Sequence, residues 1–310
     1  MRWAMAGLLA SALGAGPLLR APPPAASGEW TRAFYRGDYP QAIALSKERL
    51  RAQPGDVQAR IVLGRAEAAL GRFEAAFEGF GKALRIDPRS ADALYYLGIT
   101  AGVLAQAEYE RVFELTPESA RAHQLRGESY QAEGRTREAE AEYKAALAAS
   151  PRSVDVLVAL GDLTRLNAAY DEALAYYSRA AEVSPRNYDV LYGLGVCYSF
   201  RQEHAKAIEQ YRQALGLEPK SAPAHLAIGS SLLQTGQTSA AVTELLAAVA
   251  LEPRMRQAYY LLGRAYRALG RSPEAEAAFA RVQELVRQEG VAAQANLEER
   301  STPTARPDPH

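Results

Sequence analysis

Apolar residues recur along most of this chain with the spacing of amphipathic helices. Leu157, Leu160 and Thr164 follow one another at steps of three and four residues, and Leu191 and Leu194 repeat the start of the pattern. Residues spaced in this way share one face of an α-helix, which turns once about every 3.6 residues. Ala is heavily used and β-branched residues are sparse, which favours packed helices over strands. The pattern predicts an all-α protein.

Prolines divide the apolar pattern into units of constant length. Successive prolines are separated by 34, 29, 34, 34, 34 and 34 residues, at Pro54, Pro88, Pro117, Pro151, Pro185, Pro219 and Pro253. Proline lacks the amide that a helix interior needs and disfavours helical geometry at the residue before it. Each of these prolines therefore predicts the end of one helix and the boundary between two repeats.

Alignment on the prolines reveals three further columns. Alanine occupies the first at Ala42, Ala76, Ala105, Ala139, Ala173, Ala207, Ala241 and Ala275, and glycine the second at Gly64, Gly98, Gly127, Gly161, Gly195, Gly229 and Gly263. The third holds large apolar residues at Phe80, Tyr109, Tyr143, Tyr177, Tyr211, Leu245 and Phe279. Glycine in a helix costs about 1 kcal/mol relative to alanine, so its recurrence predicts close contact between two helices. Turn signals such as Gly71-Arg72 and Gly134-Arg135 lie between the helices, so each repeat reads as helix, turn, helix.

These columns resemble the signature of the tetratricopeptide repeat family over residues 26 to 289. The resemblance implies a right-handed superhelical solenoid of about eight helix-turn-helix repeats, with a concave groove lined by the first helix of each repeat. We therefore assign residues 28–289 to the solenoid. The family binds peptides and protein segments, so the resemblance implies a protein-binding function.

The third repeat is shortened, because five residues are missing between Leu104 and Ala105, where the other repeats carry their turn. One interpretation is a shortened hairpin, with the first helix ending at Gly102 and the chain turning over Val103 and Leu104. The other is that the two helices fuse into one rod. We expect the shortened hairpin, because Ala105 and the residues after it keep their packing columns.

The two ends of the chain differ from the repeats. Arg2, the apolar run over residues 4–19 and the small residues over 21–27 resemble a secretory signal peptide, and the alternative is a disordered leader. The expected location is therefore outside the cytoplasm, in the periplasm or cell envelope as in a bacterial exported protein, with the cytoplasm as the alternative. Residues 290–310 are expected to form a weak capping helix, Val291 to Glu299, and a disordered tail.

Composition argues against several kinds of chemistry. Lys plus Arg equals Asp plus Glu at 36 each, so no net field draws the chain to nucleic acid. The single cysteine, Cys197, excludes an intramolecular disulfide, and the four histidines are too scattered for a metal cluster or a catalytic triad. His123 and His225 fall in packing columns, and the carboxylates near Glu142 are expected on a solvated face. We predict no cofactor, no metal and no enzymatic activity.

A partner is expected to bind the groove. Rotation by one residue from the buried face of each first helix selects tyrosines, aliphatic residues and isolated charges. The predicted contacts are Arg65, Tyr95, Glu128, Asp162, Arg165, Tyr192, Tyr260, Arg264 and Arg267. We interpret the protein as a non-catalytic scaffold or assembly factor that holds a peptide or protein segment. One alternative is a regulatory or substrate-presenting subunit of an enzyme encoded elsewhere, and another is a spacer whose groove residues are merely solvated.

Overall fold

The computed structural model describes residues 28–301, and all of the regular structure in that range is α-helical. The helices are α1 (Glu29–Tyr35), α2 (Tyr39–Ala52), α3 (Val57–Ala69), α4 (Phe73–Ile86), α5 (Ala91–Leu115), α6 (Ala120–Ala132), α7 (Thr136–Ala149), α8 (Val154–Leu166), α9 (Tyr170–Val183), α10 (Tyr188–Phe200), α11 (His204–Leu217), α12 (Ala222–Gln234), α13 (Thr238–Leu251), α14 (Arg256–Ala268) and α15 (Ser272–Ser301). The predicted all-α fold class and its helix-turn-helix repeats are confirmed.

Turns between repeats form where the prolines predict them. Each proline of the column stands two residues after the end of a helix, as Pro151 does after Ala149. The next helix then begins at a capping side chain in most repeats. The Asp56 carboxylate accepts a hydrogen bond from the amide of Ala59 at 2.9 Å, which satisfies one amide at the start of α3. Ser90, Ser119, Asn187 and Ser221 cap α5, α6, α10 and α12 in the same way.

Within each hairpin the chain reverses through one residue in the left-handed backbone region. These residues are Gly37, Gly71, Gly134, Ala168, Gln202, Gly236 and Gly270. Glycine suits the position because it has no Cβ to clash with the following carbonyl. Ala168 and Gln202 adopt φ values of 59° and 62° there, so the fold holds two non-glycine residues in an unfavourable conformation.

The Gly column is where the two helices of a repeat approach each other. A Cβ built on Gly161 would lie 2.8 Å from the Tyr177 ring, and one on Gly195 would lie 2.5 Å from the Tyr211 ring. Gly193, in the next repeat, approaches Tyr177 from α10 in the same way, at 2.5 Å. The Tyr177 ring therefore packs against both helices of its own repeat and also joins that repeat to the next one. The Ala column is buried as predicted at Ala42, Ala76, Ala139, Ala173, Ala207, Ala241 and Ala275.

The third repeat does not form a hairpin. Helix α5 runs without interruption for 25 residues, so the predicted turn over Gly102 to Leu104 is wrong and the fused rod is found instead. Gly102 is not among the residues with positive φ. The five missing residues lie where the other repeats reverse, and without them the backbone continues its helical hydrogen bonding.

The described part of the chain divides into two compact units, unit 1 up to Glu118 and unit 2 from Ser119 onwards. Unit 1 contains α1–α5 and packs around Phe34, Phe80 and Tyr96. Unit 2 contains α6–α15, in which consecutive helices pack together around residues such as Leu160 and Leu245.

The predicted solenoid, residues 28–289, lies within the described residues, whereas the two segments that flank it do so only in part. The leader, residues 1–27, and residues 302–310 of the tail lie outside the described residues. Residues 291–299 are helical, but they continue α15 and do not form a separate capping helix. Among the described helices, none has the length and apolarity needed to cross a membrane.

Candidate partner-binding surface

First helices of neighbouring repeats lie side by side in unit 2, where α8 contacts α10, α10 contacts α12 and α12 contacts α14. We call the columns that the helical rotation selects on α6, α8, α10, α12 and α14 the first-helix surface; of its α6 members, Gln124 is buried. Its main columns read Gln124, Val158, Tyr192, Leu226 and Tyr260, then Glu128, Asp162, Val196, Ser230 and Arg264, then Gln131, Arg165, Ser199, Leu233 and Arg267. Seven of the predicted contact residues belong to this surface.

A hydrogen-bonded triad occupies the α8 part of the first-helix surface. The Tyr177 hydroxyl donates to Asp162 Oδ1 at 2.8 Å, and Arg165 Nη2 donates to the same oxygen at 2.9 Å. Arg165 Nε also donates to the Tyr177 hydroxyl at 3.4 Å. Burial, reinforced by the Asp162 carboxylate, raises the pKa of Tyr177, so the phenol keeps its proton as a donor. The buried residue Tyr177 therefore holds the ion pair of Asp162 and Arg165 in one geometry.

An aromatic cluster forms the middle of the first-helix surface, on α10. The Tyr192 ring stacks on the Tyr188 ring at 5.7 Å between centroids, and it tilts over the Tyr211 ring at 5.4 Å. The Tyr188 hydroxyl shares a hydrogen bond of 2.6 Å with Ser221 Oγ of the next repeat. Tyr192 is thus half-buried, and burial raises the pKa of its phenol. Part of this stacked residue therefore remains exposed to solvent.

The last first helix, α14, presents aromatic and cationic side chains. Tyr260 is 50% exposed and meets the Phe279 ring edge-on at 6.1 Å. The Arg267 guanidinium lies over the same Phe279 ring, 5.0 Å from its centroid. Arg264 is exposed and forms no hydrogen bond or ion pair with any residue between 28 and 291. This end of the surface therefore carries positive charge that residues 28–291 leave unpaired at Arg264.

The opposite end, on α6, is acidic. Glu128 is exposed and its carboxylate accepts a hydrogen bond from Gln124 Nε2 at 2.9 Å. Below it, the Tyr143 hydroxyl donates to Gln131 Oε1 at 2.8 Å. Burial, together with the charge of Glu128, raises the pKa of Tyr143 to about 12. The column from Glu128 to Arg264 therefore changes from acidic through uncharged to cationic along the unit.

Comparison with known proteins assigns the repeats. A family model described as tetratricopeptide repeat matches residues 104–154, 125–182, 167–222 and 226–290, which is more than half of the chain. The chain belongs to the tetratricopeptide repeat family. A second model, described as TPR repeat, matches residues 64–101. The two sets of tetratricopeptide repeat matches meet at the shortened third repeat, where the hairpin is lost.

Solved structures named MamA share the tetratricopeptide repeat fold. The crystal structure of MamA protein is 22% identical with a TM-score of 0.51, over 55% of this chain and 93% of that chain. MamA 41-end from Desulfovibrio magneticus RS-1 is 18% identical with a TM-score of 0.52, over 55% of this chain and 96% of that chain. Identities this low establish a common fold and transfer no function. Comparison with curated protein sequences gives no significant match.

The two remaining predicted contacts lie in the tetratricopeptide repeats of unit 1. Arg65 is only 6% exposed, because its guanidinium is enclosed by the rings of Phe34, Tyr35 and Tyr96 at 4.4, 5.6 and 4.9 Å. Its side chain is packed into the core of the unit and offers a partner little surface. Tyr95 is 54% exposed on α5.

The sequence analysis did not identify several residues that form or support the first-helix surface. Tyr188 could have been found, because it lies one helical turn before Tyr192 on the same helix. Tyr177 and Tyr211 belong to the core column, and the sequence does not indicate that the Tyr177 hydroxyl reaches a charged pair on the surface. The pair depends on how far a buried ring extends through the helix crossing.

His123 and His225 are half-buried in their packing columns, and each has a polar partner that the sequence did not indicate. His123 Nδ1 lies 2.7 Å from Glu142 Oε2, and His225 Nδ1 lies 2.7 Å from Glu244 Oε2, so each half-buried ring ties a first helix to its second helix. Glu142, expected on a solvated face, is therefore a paired residue. Cys197 is fully buried, and burial raises the pKa of its thiol to about 11. The described residues contain no cluster of three or more His, Cys, Asp or Glu suited to a metal ion.

Proposed function

We propose that this tetratricopeptide repeat protein is a non-catalytic scaffold or assembly factor that holds a peptide or protein segment against the first-helix surface of unit 2. Members of the family bind other proteins. The observation that carries the proposal is that the surface side chains are already held in place. Asp162 and Arg165 are tied to Tyr177, and Tyr192 is stacked on Tyr188. Rigid contact groups lose little conformational freedom on binding, which favours affinity.

The charge order along the surface supports a partner of particular chemistry. The middle of the surface offers Tyr192, Leu226 and Leu233, which suit apolar or aromatic side chains of a bound segment. Arg264 and Arg267 at one end suit acidic side chains, and Glu128 at the other end suits a basic one. We therefore propose a segment with an apolar centre whose acidic part lies over α14.

The first experiment identifies and measures the partner. A photoreactive residue in place of Tyr192 should cross-link the partner in cells, and calorimetry should then give the affinity of wild type and variants. Tyr260→Ala should weaken binding by about thirtyfold, or roughly 2 kcal/mol, because a half-exposed ring at an interface becomes an anchor when it is covered. Tyr176→Ala, on the second helix α9, is the matched control and should bind as wild type does.

Charge substitutions test the orientation of the bound segment. Arg264→Ala should slow association and flatten its salt dependence, because an exposed cation attracts an acidic segment before contact. Arg212→Ala removes an exposed arginine from α11 and should leave the association rate unchanged. Equal affinities and rates for all of these variants and wild type would refute binding at the first-helix surface.

The same experiment separates the scaffold from the alternative function. A cross-linked enzyme whose turnover depends on this protein would favour a regulatory or substrate-presenting subunit.

The proposed place of action is the cell envelope, supported by Arg2 and the apolar run over residues 4–19 of the sequence.

A further inference from the structure

The third repeat leaves its packing columns open. Gly98 is exposed and a Cβ built on it would meet nothing within 4 Å, whereas the other column glycines have the side chain of their partner at less than 3 Å. Those filled positions are Gly64, Gly127, Gly161, Gly195, Gly229 and Gly263. Tyr109, which would fill the position at Gly98 in a hairpin, is 44% exposed, whereas Tyr143 and Tyr177 in the same column are buried. The repeat thus contains both an unfilled contact and the side chain that fits it.

The open positions form one continuous face of α5, which we call the α5 seam. Its members are separated by three, four, three, four and three residues, at Tyr95, Gly98, Gly102, Ala105, Tyr109 and Val112. This is the spacing of the contact positions in paired, coiled helices. None of the six is buried. The other side of α5 packs on α3 and α4 through Ala93, Tyr96 and Thr100.

Tyr109 cannot reach Gly98 of its own chain. The two residues are three helical turns, about 16 Å, apart on one straight helix. The five-residue deletion that removed the turn therefore prevents the pairing within a chain. Loss of a hairpin turn is a known route by which a segment pairs with another copy of the same protein.

The α5 seam is complementary to itself when a second copy runs antiparallel. If Gly98 of one copy faces Tyr109 of the other, the same alignment places Tyr95 opposite Val112 and Gly102 opposite Ala105. Large residues then meet smaller ones, and the smallest residues meet at the centre, where two helix axes can approach closely. A two-fold axis repeats each contact, so both copies fill both of their open positions.

Charge also permits this alignment. No charged residue occurs over residues 93–107, so the central part of the seam is uncharged in both copies. Glu108, Glu110 and Glu114 lie towards the end of α5 and would face the uncharged first half of the other helix. The antiparallel arrangement places the negative end of one helix dipole near the positive end of the other.

We propose that the α5 seam is a self-association surface through which two copies of this protein form an antiparallel homodimer. The interface is formed by residues of unit 1, none of which belongs to the first-helix surface of unit 2. It would place two partner-binding surfaces in one particle, which raises the effective affinity for a partner that carries more than one binding segment. Either proposal can fail while the other holds.

The matched pair Ala105→Glu and Ala107→Glu tests the dimer in the full-length chain. Ala105 lies in the seam, whereas Ala107 is two residues further, points to the opposite side of α5 and is itself exposed. Sedimentation should find wild type and Ala107→Glu as dimers. Ala105→Glu should raise the dimer dissociation constant by about a hundredfold, because it buries an unpaired carboxylate at the crossing. Both variants should keep wild-type helical content by circular dichroism.

Cross-linking tests the alignment of the two copies. Tyr95→Cys and Val112→Cys, each in a Cys197→Ala background, should form few disulfide-linked dimers alone, since equivalent residues would lie about 25 Å apart along the helices. Co-expressed, the two variants should form a mixed disulfide. A monomeric wild type, a dimer unaffected by Ala105→Glu, or the absence of the mixed disulfide would each overturn the proposal. A monomer would leave the seam to another occupant, such as the leader.

Discussion

Gly195 is the position where the repeat geometry makes its most demanding prediction. A Cβ at this residue would lie 2.5 and 2.6 Å from two carbons of the Tyr211 ring, whereas ordinary contacts begin near 3.4 Å. In Gly195→Ala the ring must therefore withdraw by nearly an ångström. It has little room to do so, because Tyr211 is 3% exposed and lies under Tyr192.

Two opposing effects determine the size of the change. Alanine in place of a helical glycine contributes about 1 kcal/mol of stability. Overpacking a well-filled core costs about 1–3 kcal/mol, and the enclosed ring favours the upper part of that range. We expect Gly195→Ala to lower the free energy of unfolding by about 1–2 kcal/mol.

Gly216→Ala is the matched control, because Gly216 lies on α11 in the same unit and a Cβ there would meet nothing within 4 Å. It should stabilise the protein by up to about 1 kcal/mol, through helix propensity alone. Thermal melting followed by circular dichroism should separate the variants, with Gly195→Ala lowered by roughly 2–8 °C. A Gly195→Ala variant as stable as wild type would refute the view that the Gly column is a close-contact column.

Three further predictions concern the turns, the pH dependence and the leader. Ala168→Gly should stabilise the protein by about 0.5–1 kcal/mol, because glycine relieves the left-handed backbone, and Gly134→Ala should do the reverse; equal urea midpoints would contradict this. Cys197, with its pKa raised from 9.0 to about 11, and Tyr143, raised from 10.0 to about 12, hold their protons more tightly when folded. Their contribution to stability is therefore complete below pH 9 and is lost as the pH rises towards 12. Cys197→Ala should remove the fall in the free energy of unfolding between pH 9 and 11. A free energy of unfolding that stays constant up to pH 12 in wild type would contradict these raised pKa values. Export predicts that mass spectrometry of the native protein finds an N-terminus near residues 16 to 29, whereas an intact Met1 on cytosolic protein would contradict export.

The predictions made from columns of repeated residues proved the most secure. A proline two residues after a second helix and a glycine against a large side chain recur in most repeats with the same local cause, so agreement among repeats corrects for the ambiguity of any one. The third repeat lacked that support. Its residues after Leu104 still carry the packing columns of a second helix, and the sequence pattern alone does not distinguish a helix that turns back from one that continues.

The sequence predicted which columns of residues point away from the buried face, but not which of their side chains neighbouring helices cover. Tyr260 and Arg264 are exposed as the helical rotation predicts. Arg65 occupies the same column as Arg264, yet three rings from α1 and α5 enclose it. Rotation about one helix axis gives the direction of a side chain, whereas its exposure depends on the neighbouring helices that cover it.

The sequence by itself determined the helices, their ends, the repeat length and the pairs of residues that pack within a hairpin, because each follows from local backbone preferences and from spacing along the chain. Only the tertiary structure decided three other features: the rod at α5, the burial of Arg65 and the hydrogen bonds from Tyr177 to Asp162 and Arg165. The burial of Arg65 and the hydrogen bonds of Tyr177 depend on atoms from other helices, and the rod depends on whether the chain reverses where the five residues are absent. The missing turn in the third repeat illustrates the difference, since five absent residues leave the packing columns readable in the sequence but leave Tyr109 and Gly98 without each other.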